Sequence, residues 1–158
     1  MPKSVKILLS NLSKKLNSIT AGDIMTTRVV STTEDSYLSD VAETMIKERI
    51  SGLPVMNKKG KVVGIITETD FFLVMDMITS GDIVENGKLE KSHPTVKFAM
   101  TTEVVKIKKS TNLNKIISLM KYRNTHTFPV FEDNIMVGIV GRRDVFRSFY
   151  AAVKSLHM

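Results

Sequence analysis

The sequence predicts a mixed α/β (α+β) fold in which two β-α-β-β-α units follow an extra N-terminal helix. Three observations carry that prediction. "IMTTRVV" at 24–30 recurs as "AMTTEVV" at 99–105, an offset of 75 that also aligns Leu38 with Leu113, Met45 with Met120, Pro54 with Pro129 and Val55 with Val130. One residue is then lost in a turn, the offset becomes 74, and Gly64 meets Gly138, Ile65 meets Ile139, Asp70 meets Asp144 and Phe72 meets Phe146. Within each copy the apolar pattern passes from strand-like to helical spacing and back, as a repeated supersecondary unit requires.

The elements follow in order. Val5, Leu8, Leu9, Leu12 and Leu16 form a helical stripe flanked by Lys3, Lys6, Lys14 and Lys15. That amphipathic N-terminal helix is expected to pack on its own module or on a symmetry mate, in preference to a membrane surface. Each unit opens with a short β-rich strand, Val29–Thr32 and then Val104–Ile107. A helix follows, with Leu38, Val41, Ala42, Met45 and Ile46 on the apolar face of the first copy and Leu113, Ile116, Ile117 and Met120 on that of the second. "LPVM" and "FPVF" read as buried strands, "NKKGK" and "EDN" as turns, and "VVGIIT" and "MVGIVG" as third strands. A closing helix starts near Glu68 or Arg142. The expected division is residues 1–19 for the N-terminal helix, 20–80 for the first unit, 81–94 for a linker, 95–152 for the second unit and 153–158 for a tail. A unit of about 50 residues buries little core alone. The two are therefore expected to pack as a pseudo-twofold pair with a ligand-sized cleft between them.

Composition narrows the classes. The chain has 158 residues, 42% of them hydrophobic, and no cysteine. That excludes disulfides, thiolate metal sites and cysteine nucleophiles, and it suits a cytoplasmic location. No apolar run approaches the roughly 20 residues of a membrane span. The net charge of +7 is unevenly placed: residues 1–20 hold four lysines and no acid, residues 21–101 sum to −3, and residues 102–158 supply +6. A basic half attracts phosphate. With no long Lys/Arg block and no basic patch interleaved with aromatics, sequence-specific nucleic-acid binding is a weak expectation.

The stretch "GIITETD" at 64–70 carries the most chemistry. A strand ends at Thr67, and Asp70 follows at capping-box spacing, with Asp in place of the usual Glu. The pair has two readings. It closes a helix start, or its carboxylate accepts both hydroxyls of a ribose while free N–H groups of the first turn meet a phosphate. The two roles can coexist. In the second unit Gly141 stands where Thr67 stands in the first, yet Asp144 is retained, which leans slightly toward a ligand role.

The order strand–helix–strand–strand–helix, the "IMT" entry, the "GLPV" strand and "GIITETD", each found twice in register over about residues 20–150, resemble the CBS domain (cystathionine-β-synthase type). Two in tandem resemble the CBS pair, or Bateman module. The resemblance implies a regulatory module that binds an adenosine-containing ligand (AMP, ADP, ATP or S-adenosylmethionine), dimerises and controls a protein partner. It further implies one site with Thr67 and Asp70 on the ribose, Ile65, Val104 and Val105 flanking the adenine, and Thr69, His126 and Arg143 toward the phosphates. A second site would have Asp144, with Ile139, Val30 and Ser51 around it. Only the first has cationic or potentially cationic groups, so phosphorylated ligands are expected there.

Other chemistries find little support. There is no Walker-type loop and no "GxGxxG". His93, His126 and His157 lack metal-ligand spacing, so no metal is expected. No nucleophile elbow supports a triad, and the chain is expected not to be an enzyme. The ten methionines read as core filler. The alternative to a sensor is a ligand-independent scaffold for dimerisation and partner docking.

Overall fold

The computed structural model describes residues 1–81 and 94–156. The expected linker at 81–94 therefore lies almost wholly outside the described residues, as do His93 and His157. The elements are α1 (Lys3–Asn17), α2 (Ala21–Ile24), β1 (Thr32–Thr33), α3 (Leu38–Glu48), β2 (Gly52–Met56), β3 (Val62–Thr67), α4 (Glu68–Ser80), α5 (Val96–Ala99), β4 (Ile107–Lys108), α6 (Leu113–Arg123), β5 (Thr127–Glu132), β6 (Ile135–Gly141) and α7 (Arg142–Leu156). Residues 153–156, expected as tail, continue α7.

Two three-stranded sheets form, ordered β1-β2-β3 and β4-β5-β6. In each the short first strand runs parallel to the middle one and the third pairs antiparallel. Register repeats with the sequence offset: Thr32 faces Val55 as Ile107 faces Val130, and Pro54 faces Ile65 as Pro129 faces Ile139. The first strands are shorter and later than predicted. Residues 29–31 and 104–106 lie outside the ladders.

The chain forms two compact units that do not follow the repeats in sequence. One is continuous, Val30–Val104; the other is split, Met1–Val29 with Val105–Met158. The exchange is visible inside each unit. In the split unit Thr26 exchanges two backbone hydrogen bonds with Ile139, at 2.9 and 3.0 Å. In the continuous unit Thr101 does the same with Ile65, both at 2.9 Å. The "MTT" segment of each repeat thus borders the third strand of the other repeat.

Each unit has its own core. In the continuous unit Leu38, Val41, Met45, Leu53, Val55 and Ile66 pack together. In the split unit Ala21, Ile107, Ile116, Phe128, Val130 and Val140 do so. Two residues of the predicted apolar faces are exposed: Ile46 at 77% and Ile117 at 44%. At about 100° per residue, Ile46 turns about 100° away from the buried Met45. Helix α1 lies against α7 and α6 of its own unit, with Leu12 and Leu16 half-buried.

Candidate functional site

The strand-to-helix junction of each repeat places a carboxylate in the first turn of the following helix. In the continuous unit β3 ends at Thr67, whose extended backbone caps α4. The Thr67 N–H donates to Asp70 Oδ2 at 2.7 Å, and the Thr67 hydroxyl donates to the same oxygen at 2.9 Å. The other oxygen, Oδ1, accepts the Thr101 hydroxyl at 3.3 Å. Asp70 is only 7% exposed.

The split unit repeats the arrangement with one hydroxyl fewer. The Gly141 N–H donates to Asp144 Oδ2 at 2.8 Å, and the Thr26 hydroxyl donates to Oδ1 at 3.3 Å. Asp144 is half-buried, so it is the more accessible carboxylate. It borders a cleft of about 580 Å³ within this unit, lined among others by Lys15, Asp23, Thr26, Arg147 and Ser148. The Lys15 ammonium also donates to the Ser155 hydroxyl.

Sequence reasoning missed Thr26 and Thr101. Both sit in the duplicated "MTT" stretch, which was legible as a repeat marker. Their hydroxyls reach carboxylates 118 and 31 residues away, a pairing that only the exchange of segments creates. It also missed Lys15 and Arg147 beside Asp144, because Lys15 arrives on a helix outside the repeats.

The remaining expected residues divide between the units. The first expected site draws Ile65, Thr67, Thr69, Asp70 and Val104 from the continuous unit, and Val105, His126 and Arg143 from the split one. The second draws Asp144 and Ile139 from the split unit, and Val30 and Ser51 from the continuous one. Ile65 is buried, with its backbone N–H and C=O both bonded to Thr101. Val105 packs against the core of its unit, Thr69 and Arg143 are exposed, and Ser51 gives its carbonyl to the Glu68 N–H at 3.0 Å. His126 Nδ1 is buried without a hydrogen-bond partner. Burial, and secondarily the Arg142 guanidinium, hold its pKa below the ordinary value. The imidazole is therefore neutral near pH 7.

Among the described residues no cluster of His, Asp or Glu is arranged to hold a metal ion. No helix among them is long and apolar enough to cross a membrane.

Comparison with known proteins places this geometry in a family. The CBS domain profile matches residues 21–77 and again 96–151. An uncharacterized protein of Methanocaldococcus jannaschii is 30% identical over 169 residues, covering 91% of this chain and 99% of the relative. A longer uncharacterized protein of the same organism is 30% identical over 129 residues; these cover 80% of this chain but only 46% of that relative's length. Among solved structures, the CBS domain pair of protein MJ0100, in complex with 5′-methylthioadenosine and S-adenosyl-L-methionine, matches with a TM-score of 0.66 at 26% identity, over 84% of this chain and 97% of that one. The two matched segments coincide with the two repeats, and the chain belongs to the CBS domain family as a tandem pair of its motifs.

Proposed function

We propose that this chain is a regulatory sensor, not a catalyst, and that its ligand is an adenosine-containing molecule of the AMP, ADP, ATP or S-adenosylmethionine class held through its ribose diol by Asp70 and Asp144. The observation that carries this reading is the unequal commitment of each carboxylate. Oδ2 closes the chain's own helix start through bonds of 2.7 to 2.9 Å, whereas Oδ1 holds only a threonine hydroxyl at 3.3 Å. A diol offers two shorter donors to that oxygen. The similarity to a CBS pair in complex with two adenosine compounds supports the same ligand class. Thr67, Ile65, Ile139 and the half-buried valines Val30, Val104 and Val105 are the proposed surroundings, with Thr69, Ser51, His126 and Arg143 toward the polar end of the ligand. Asp144 is the more open of the two carboxylates, so its site is expected to be the stronger.

Calorimetric titration of the purified chain with AMP, ADP, ATP, S-adenosylmethionine and 5′-methylthioadenosine tests the proposal. At least one is expected to bind, and Asp144→Asn is expected to weaken it about tenfold or more, since a hydrogen bond to a charged group contributes about 1.5–3 kcal/mol. Silence from all five ligands would overturn the reading.

One observation favours the scaffold alternative: Asp70 is buried, and each of its oxygens already accepts a hydrogen bond within its own unit. On that reading the exposed Phe72, Leu73, Met75 and Ile78 of α4 serve a homodimer or a protein partner. Ligand-independent dimerisation combined with no adenosine binding would select it.

A further inference from the structure

Charge is segregated by structural unit more sharply than by position in the chain. The split unit carries 15 cationic and 4 acidic side chains; the continuous unit carries 8 and 12. Within the split unit the imbalance concentrates on its long helices. α1 has four lysines and no acid, α6 three cations and no acid, and α7 four cations against Asp144 alone, and all eleven of these cations are exposed.

The apolar stripe of α1 is only half used. Val5, Leu8, Leu9, Leu12 and Leu16 fall within an arc of about 100°. Leu12 and Leu16 are half-buried where α1 lies against α7 and α6. Val5, Leu8 and Leu9 continue the same stripe but remain 37%, 37% and 46% exposed. At about 100° per residue, Lys6 lies about 60° beyond Leu9 on one side of the stripe and Lys15 about 20° beyond Leu8 on the other. An apolar strip bordered by lysines on a strongly cationic body combines the two attractions of an interfacial helix: apolar burial and charge complementarity to anionic headgroups.

We propose that the N-terminal half of α1 docks on an anionic lipid surface, with Val5, Leu8 and Leu9 entering the headgroup–acyl boundary and the lysines of α1, helped by the cations of α6 and α7, meeting lipid phosphates. Two other occupants fit less well. Pairing α1 with α1 of a second copy gathers eight lysines and no acid. A nucleic-acid backbone satisfies the cations but leaves the apolar strip uncovered.

The chain has no tryptophan, so Leu8→Trp supplies a single fluorescent reporter. Its emission is expected to shift to shorter wavelength on adding phosphatidylglycerol vesicles and to stay unchanged with phosphatidylcholine vesicles. In flotation of the full chain, binding to the anionic vesicles is expected to fall at least about tenfold in Lys3→Glu/Lys6→Glu and in Leu8→Ser/Leu9→Ser, and to weaken as salt rises from ~0.05 to ~0.5 M. The substituted positions are exposed, and an unchanged circular dichroism spectrum shows that each variant is folded. An emission shift that follows protein concentration without vesicles, equal binding to neutral and anionic vesicles, or binding to an oligonucleotide duplex with none to vesicles would each overturn the proposal.

Discussion

Gly64 and Gly138 occupy equivalent places for one steric reason. A Cβ on Gly138 would sit 2.6 Å from Met25 Sδ and 3.0 Å from the Thr26 carbonyl oxygen; on Gly64 it would sit 2.8 Å from Met100 Sδ and 3.0 Å from the Thr101 carbonyl oxygen. The methionines can bend away, but the carbonyls are fixed by their pairing with the third strands. Gly138→Ala is expected to cost about 1–3 kcal/mol, read as a lowered midpoint in thermal or urea unfolding. Gly141 is the contrast: its nearest contacts would be 3.8 Å away, so Gly141→Ala should be tolerated there. His126 carries a second prediction. Because the fold favours its neutral form, the unfolded chain binds the proton more tightly, at the ordinary value near 6.5. Its contribution is complete above that pH and is lost as pH falls through 6.5 toward the lower folded value. Urea midpoints measured from pH 7.5 down to about 5 should decline less steeply in His126→Gln than in the natural chain.

At the scale of elements, a proline in the middle strand of each sheet looks out of place, since a ladder needs donors. The register removes the difficulty. Pro54 faces Ile65 and Pro129 faces Ile139. Both isoleucines direct their N–H and C=O outward to Thr101 and Thr26. Pro54 and Pro129 therefore occupy non-hydrogen-bonded positions of the pairing with the third strand, which needs no donor from them. The same bonds cover part of the edge of each third strand. The helices divide by face. Ile116 is fully buried and Ile46 is 77% exposed, although both belonged to predicted apolar faces. Ile116→Ala should cost about 2–5 kcal/mol, whereas Ile46→Ala should stay within about 0.5 kcal/mol. Equilibrium unfolding of the two variants side by side checks the difference.

At the scale of the molecule, the exchange of segments makes folding of the split unit depend on both ends of the chain. The continuous unit is built from one stretch, Val30–Val104. The split unit needs α1, α2 and the first "MTT" segment from one end of the chain, and α6, β5, β6 and α7 from the other. A fragment of residues 30–104 is therefore expected to fold alone, with a cooperative thermal transition. A fragment of residues 105–158 lacks Ala21, which is fully buried in the core of that unit, and the Thr26 bonds along β6. It should remain largely unfolded by circular dichroism until a peptide of residues 1–29 is added. Independent folding of 105–158 would contradict the account.

The sequence by itself determined the duplication, the order of elements and their periods, because helix and strand spacing are local properties of the chain. It also located the Thr67–Asp70 and Gly141–Asp144 junctions, since a helix start is written in four consecutive residues. The first strands were misplaced because Val29 and Val104 have strand-like chemistry but no partner in the ladder. Ile46 and Ile117 were misassigned because periodicity finds an apolar arc without saying how wide the facing surface is. Only the tertiary structure decided which repeat's threonine meets which carboxylate, that Asp70 is buried while Asp144 stands open beside Lys15 and Arg147, and that the positive charge collects in one unit. The physical reason is the same in each case: these features arise where residues far apart in the chain are brought together, and spacing along the chain does not encode them.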